Sequence, residues 1–128
     1  MYEVYDLHTH STASDGTLSP SELIRRAARA GVKAIALTDH DSTGGLSEAA
    51  LEAGRQDIVL IAGVEVSVTW ESRVIHVLGL GIDPNRRVLQ EGLRALRKFR
   101  DWRAEEIGRR LGKAGIEGAY EGARGHSS

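Results

Sequence analysis

Val32 to Thr38 is an apolar run interrupted only by Lys33, and it closes on the polar triplet Asp39-His40-Asp41. A β-branched apolar segment this short, without a two-residue alternation, suits a strand covered on both faces in a parallel sheet. Parallel neighbours need a crossover of a dozen or more residues between them. One precedes this run. Ser19-Pro20-Ser21-Glu22 reads as an N-cap, a proline at the first helical position and a glutamate three residues after the cap. It opens a helix that runs to about Ala30 and stops at Gly31. Before it, Tyr2 to Leu7 has strand character. After Gly44 and Gly45, Leu46 to Arg55 reads as a short helix, Ile58 to Val68 as a third strand and Arg73 to Leu80 as a fourth. Polar Thr69-Trp70-Glu71-Ser72 between the last two is short enough for a hairpin. The order βαβαββ predicts an α/β fold.

Beyond Asp83-Pro84-Asn85 the chain changes character. Leu89, Leu93, Leu96, Phe99, Ala104, Ile107 and Leu111 keep a helical period, predicting one amphipathic helix with a break at Gly108. The segment from Gly115 to Ser128 has no period and predicts a loose tail. The formal net charge of −1 hides an asymmetry. By direct count, residues 1–83 hold 6 Lys/Arg against 12 Asp/Glu, and residues 84–113 hold 10 against 4. An acidic, histidine-bearing front suits cations, and an arginine-rich helix suits either a solvated face or anionic partners. At 128 residues, 41% hydrophobic and 27% charged, two full domains and intrinsic disorder are excluded. No apolar run spans a bilayer and no signal peptide opens the chain, so the sequence reads as soluble and cytoplasmic, with no membrane partner. With no cysteine, any metal must be held by histidines and carboxylates.

Those residues fall at the ends of the predicted strands. His8 and His10 leave strand one with Asp15 in the following loop, and His40 leaves strand two. In α/β sheets and barrels the carboxyl ends of strands converge on the active site. Glu65 and His76 stand inside apolar strands, where an unpaired carboxylate is costly unless a cation compensates. Residues two apart on a strand project to one side, so the His8-x-His10 pair can grip one ion. Carboxylates with imidazoles favour Zn, Mn or Fe over Ca, and Glu65 can bridge two ions. The chemistry this predicts is metal-assisted hydrolysis.

Each residue also has a plainer reading. His76 alone reads as a hydrogen-bonded core histidine, Asp15 before Gly16 as a turn residue, and Asp39 and Asp41 as loop or capping residues. His126, in a glycine- and serine-rich tail, reads as solvated. It is four histidines, each near a carboxylate, that together point to a metal site.

Asp6-Leu7-His8-Thr9-His10-Ser11, Ser14-Asp15-Gly16-Thr17, Thr38-Asp39-His40-Asp41, Gly63-Val64-Glu65 and His76 resemble the motifs of the PHP (polymerase and histidinol phosphatase) family. Within it they are most similar to the branch of nucleoside 3′,5′-bisphosphate phosphatases and short-RNA 5′-exonucleases. The resemblance implies part of a distorted seven-stranded β/α barrel followed by a helical insertion, with two or three divalent ions (Mn, Fe or Zn). His8, His10 and Glu65 would hold the first ion. Glu65 would bridge to a second that is also bound by His76, and Asp15 and His40 would hold a third. Asp6 and Asp39, next to ligands, would orient imidazoles. The nucleophile would be a metal-bound hydroxide rather than a side chain, acting on phosphomonoesters of small nucleotides or short oligonucleotides.

The family's later ligands, a histidine after the insertion and an Asp-x-His pair, have no counterpart after His76. The expected organisation is therefore the N-terminal part of the barrel in residues 1–83, an arginine-rich helical segment in 84–114 and a tail in 115–128. An incomplete barrel exposes sheet edges, which predicts a homo-oligomer or a missing C-terminal half. The competing functions are a non-catalytic or incomplete metal-binding domain and, ranked lower, an amidohydrolase acting on a C–N bond. The latter typically adds a carboxylated lysine where this chain offers Glu65.

Overall fold

A computed structural model describes residues 3–124. In chain order the elements are β1 (Val4–Thr9), α1 (Pro20–Arg29), β2 (Val32–Leu37), α2 (Leu46–Gln56), β3 (Val59–Trp70), β4 (Arg73–Leu80), α3 (Arg87–Lys113) and α4 (Ala119–Arg124). The strands form one sheet in the order β1-β2-β3-β4, the first two pairings parallel and the last antiparallel. This is the expected α/β arrangement with four strands among the described residues.

Helix α1 starts where its capping signal predicts, the Ser19 side chain accepting from the Glu22 N–H with Pro20 in the first turn. Its buried residues Ile24 and Ala27 pack with Leu46, Ala49 and Ala53 of α2, with Ile35 and Leu37 on one face of β2, and with Ile58. Burying an aliphatic side chain such as Ile24 completely stabilises by about 1.5–3 kcal/mol. Ala34 and Ala36 on the other face of β2 are buried as well, so this strand is covered on both sides, as its unbroken apolar run requires. The edges are bare: Val4, Tyr5 and Leu7 of β1, and Val74, Ile75, Val77, Leu78 and Leu80 of β4, are exposed.

The hairpin differs from expectation. Strand β3 continues to Trp70, and Glu71 and Ser72 alone make the turn, both at positive φ (46° and 64°), as a two-residue I′ loop requires. Neither is a glycine or asparagine, so the usual signal for so tight a turn is missing from the sequence. The consequence is register: Ser67 lies directly opposite His76.

Helix α3 is unbroken through Gly108. That glycine marks a contact instead, because a Cβ there would lie 2.8 Å from the Tyr120 Cβ of α4. Helix α4 itself corrects the expectation of an irregular segment after Gly115. His126 lies outside the described residues. Of the apolar positions on α3 only Leu93 is buried, while Phe99, Trp102 and Ile107 are exposed. Among the described residues, no helix is long and apolar enough to cross a membrane.

Candidate metal centre

The parallel pairing of β1, β2 and β3 continues past the strand ends, and this places the polar residues. Thr38 N donates to Thr9 O at 2.8 Å, fastening the His8–His10 segment to the end of β2. Between Asp6 and Thr9 the β1–β2 register shifts, an irregularity of the kind that re-aims side chains beside sites. One strand further on, Glu65 N donates to Asp39 O at 3.0 Å and Asp41 N donates to Glu65 O at 2.9 Å, so main-chain bonds clamp His40 against Glu65.

Glu65 is the centre of the cluster. It is 5% exposed, and its ion-pair partners among the described residues are all histidines. They are His8 Nε2 at 3.0 Å from Oε1, with His10 Nε2 at 3.5 Å and His40 Nδ1 at 2.8 Å from Oε2. The Asp15 carboxylate receives the other nitrogens of two of them, His10 Nδ1 at 2.6 Å and His40 Nε2 at 3.2 Å. Partial desolvation pushes the Asp15 carboxyl up, but its hydrogen bond with His10 and the charges of His40 and His10 outweigh this and hold it below its ordinary value. His76 completes the set, its ring 5.8 Å from that of His40 and its Nδ1 hydrogen-bonded to Ser67 Oγ at 3.0 Å. Among the described residues, three groups have donor atoms within 4.8 Å of one another: His8, His10 and Glu65; His10, Asp15 and His40; and His40, Glu65 and His76. The six side chains that the sequence offers as metal ligands lie together here, and Asp15 makes these contacts while also belonging to a turn.

That turn needs Gly16. Its N–H donates to Ser11 O at 2.8 Å, and a Cβ at this position would meet the His10 carbonyl oxygen at 2.4 Å. The chain can double back from His10 to present Asp15 only where no side chain intervenes.

Asp39 and Asp6 behave differently from the orienting role expected of them. Asp39 is buried, and its hydrogen bonds run to the loop: Oδ1 accepts from Ser11 N (2.6 Å) and Ser14 Oγ (2.7 Å), and Oδ2 from Ser11 Oγ (2.7 Å). It ties down the loop between His10 and Asp15 and bonds to no imidazole among the described residues. Asp6 accepts from the His8 main-chain N–H at 3.4 Å, not from its ring.

Sequence reasoning missed Asp41. It is fully buried at φ 50°, its main-chain oxygen accepting from Arg97 Nη1 (2.7 Å) and its Oδ2 from Arg100 Nη1 (3.2 Å). The arginine-rich helix is therefore fastened beside His40 by two of its cations. Ser11, Ser14 and Ser67 were also missed. Ser11 and Ser14 stand within the blocks Asp6–Ser11 and Ser14–Thr17 that carry the family resemblance, and Ser67 stands two residues beyond Glu65 on the same strand face.

The PHP domain signature matches residues 6–100. The chain belongs to the PHP domain family. A 5′-3′ exoribonuclease of Haemophilus influenzae is 49% identical over 124 residues, covering 97% of this chain and 45% of the relative. A 3′,5′-nucleoside bisphosphate phosphatase of Chromobacterium violaceum is 51% identical over 118 residues, covering 92% of this chain and 41% of the relative. The PHP chain thus spans less than half the length of these curated relatives. Among solved structures, an amidohydrolase from C. violaceum, with bound sulfate and no metal, superposes with a TM-score of 0.86 at 50% identity. It covers 94% of this chain and 42% of that one. A Bifidobacterium adolescentis chain assigned as a metal-dependent phosphoesterase superposes at 0.80 with 29% identity, over 87% of this PHP chain and 39% of its own.

Proposed function

We propose that this chain supplies the metal-binding part of a phosphoesterase that hydrolyses phosphomonoesters of small nucleotides or short oligonucleotides. In this reading residues 1–83 are the N-terminal part of a PHP barrel, residues 84–114 are the helical segment that follows, and further polypeptide completes the barrel.

The observation that carries the proposal is the surroundings of Glu65, a buried carboxylate whose ionic partners are imidazoles. Hydrogen bonds from imidazoles offset part of the cost of burying a carboxylate, and a divalent cation offsets it more fully. The donor set fits such ions, with His8, His10, Asp15, His40, Glu65 and His76 as the ligands. A count of donors shows what is left over. Four imidazoles offer one lone pair each and two carboxylates two oxygens each, eight donor atoms, whereas three tetrahedral ions take about twelve. Neighbouring groups also share His10 and His40, and a neutral imidazole serves one ion. Water, substrate or further polypeptide must supply the remainder. When bound, the ions supply Lewis acidity towards a phosphoryl oxygen and lower the pKa of water towards neutrality.

The chain's own residues do the rest. Asp39 and the serines hold the loop that presents His10 and Asp15, and Arg97 and Arg100 keep positive charge beside His40, where it favours the approach of an anionic substrate. The names of the bisphosphate phosphatase and exoribonuclease relatives support the nucleotide class. A carboxylated-lysine amidohydrolase is disfavoured because Glu65 supplies the carboxylate among the histidines and Lys33 enters at the opposite end of β2 from His40.

The test is phosphate release from a 3′,5′-bisphosphonucleotide with Mn²⁺ added, by this chain and by a version extended to the length of its relatives. Release by the extended protein is expected. Cleavage of other phosphomonoesters but not of this one would remove the nucleotide class. Metal bound without turnover by both proteins would replace the enzyme reading with that of a binding domain.

A further inference from the structure

We infer that Asp41 is a positioning residue of the metal centre, the point through which helix α3 holds His40 and Glu65 together. This rests on the reading of those two residues as metal ligands.

Of the residues of α3 only Leu93 is buried. Beside it on one helix face, at spacings of three and four, stand Gln90, Arg97 and Arg100, and all three reach the loop that follows His40. Gln90 Nε2 donates to Thr43 Oγ1 at 2.8 Å, Arg97 Nη1 to Asp41 O at 2.7 Å and Arg100 Nη1 to Asp41 Oδ2 at 3.2 Å. A helix with so little apolar burial depends on such contacts for its place.

Asp41 is where this grip meets the metal centre. It follows His40 directly, and its own N–H donates to Glu65 O at 2.9 Å, one of the two main-chain bonds that bring His40 Nδ1 to 2.8 Å from Glu65 Oε2. Its carboxylate is fully buried, and Arg100 is the one cation paired with it among the described residues. Its φ of 50° is a left-handed value that aspartate tolerates better than most residues. Freed of its cation, a buried carboxylate is driven towards water, and at Asp41 that movement strains the same residue's N–H bond to Glu65. The docking of α3 therefore fixes the spacing of two proposed ligands, although its arginines bond to Asp41 rather than to either of them.

The experiment compares the intact chain with Arg100→Ala and Arg100→Lys. Amide hydrogen exchange in EDTA reads the main-chain clamp with no metal bound, and Mn²⁺ titration calorimetry reads affinity. In Arg100→Ala the Asp41 and Glu65 amides are expected to exchange roughly 5- to 30-fold faster than in wild type, while the Ile24 and Ala27 amides of α1 change less. Mn²⁺ affinity is expected to fall on the order of 10-fold, the low end for residues that orient ligands. The sign decides, because the charge of an arginine repels a cation and its removal alone would raise affinity. Arg100→Lys keeps a cation at this position and is expected to lie between alanine and wild type in both readings. The Arg100 side chain is half exposed, so both variants are expected to fold. Exchange that quickens evenly across the chain, or not at all, would overturn the inference while leaving the metal centre standing. So would Mn²⁺ affinity that is unchanged or raised. A wild-type chain that binds no Mn²⁺ would overturn the metal reading and the inference with it.

Discussion

Replacing Asp39 separates a residue that builds the loop from one that would touch a bound ion. In Asp39→Ala three donors lose this acceptor at once: the N–H and hydroxyl of Ser11, which is fully buried, and the hydroxyl of Ser14, which keeps a longer contact to Asp15 Oδ1 at 3.4 Å. Hydrogen bonds to a charged acceptor are worth about 1.5–3 kcal/mol each, roughly 4.5–9 in all. Against this stands the desolvation of the carboxylate, several kcal/mol, which the substitution also removes. What remains is two hydroxyls that can rotate and one N–H that cannot, giving a net loss of about 3 kcal/mol. Asp39→Asn is milder. Its oxygen still serves Ser11 N–H and the Ser14 hydroxyl, and the Ser11 hydroxyl, already accepting from Ala13 N–H at 3.1 Å, has a second lone pair for the new amide. About 1 kcal/mol is expected, leaving a gap of about 2 kcal/mol, or roughly 30-fold in the unfolding equilibrium constant. Urea unfolding in the presence of EDTA reads this gap without any contribution from bound metal. Alanine and asparagine variants within about 0.5 kcal/mol of each other would refute the hydrogen-bond reasoning. Mn²⁺ affinity that collapses in the well-folded asparagine variant would refute the assignment of Asp39 to the loop.

Gly16→Ala drives a Cβ into the His10 carbonyl; a stability loss of about 1–3 kcal/mol is expected, with Asp15 displaced and Mn²⁺ affinity lowered, and wild-type values for both would show that the turn yields freely. Arg100→Ala leaves the buried Asp41 carboxylate short of a cation. Because the arginine is half exposed the cost is screened to about 1–2 kcal/mol, and added salt should narrow the difference from wild type in denaturant melts. Glu52 lies in the α1–α2 interface, where the Gln56 amide, then the Arg55 hydrogen bond and the charges of Arg25 and Arg55, outweigh burial and hold its carboxyl below the ordinary range. A depressed folded-state pKa contributes stability above the unfolded value, lost as pH falls through the folded one. Glu52→Gln should therefore flatten the decline in stability below about pH 5, and an acid limb as steep as wild type would exclude the effect.

Much of the site is legible because its residues break local rules. Glu65 and His76 interrupt apolar strands, His8 and His10 share a strand face, and Ser19-Pro20 starts a helix in the expected place. Local pattern carries no information about pairs made across the fold. The arginines on α3 look like a solvated face until Arg97 and Arg100 meet Asp41, more than fifty residues away in sequence. Asp39 stands beside a histidine in sequence, yet its bonds go to Ser11 and Ser14. The turn at Glu71-Ser72 lacks the residues that normally announce it, so the length of β3 and the Ser67–His76 register emerge only from strand pairing.

The main-chain clamp between His40 and Glu65 also settles when the entropy of assembling the ligands is lost. Closing a loop of roughly 25 residues costs on the order of 3 kcal/mol. Here the peptide groups of Asp39, Asp41 and Glu65 have already closed it. An ion entering this centre meets donors gathered by folding and need not organise them. On the proposed metal-binding role its affinity is underwritten by the parallel sheet, and a change that loosens the β2–β3 crossover is expected to weaken metal binding although no proposed ligand has been touched.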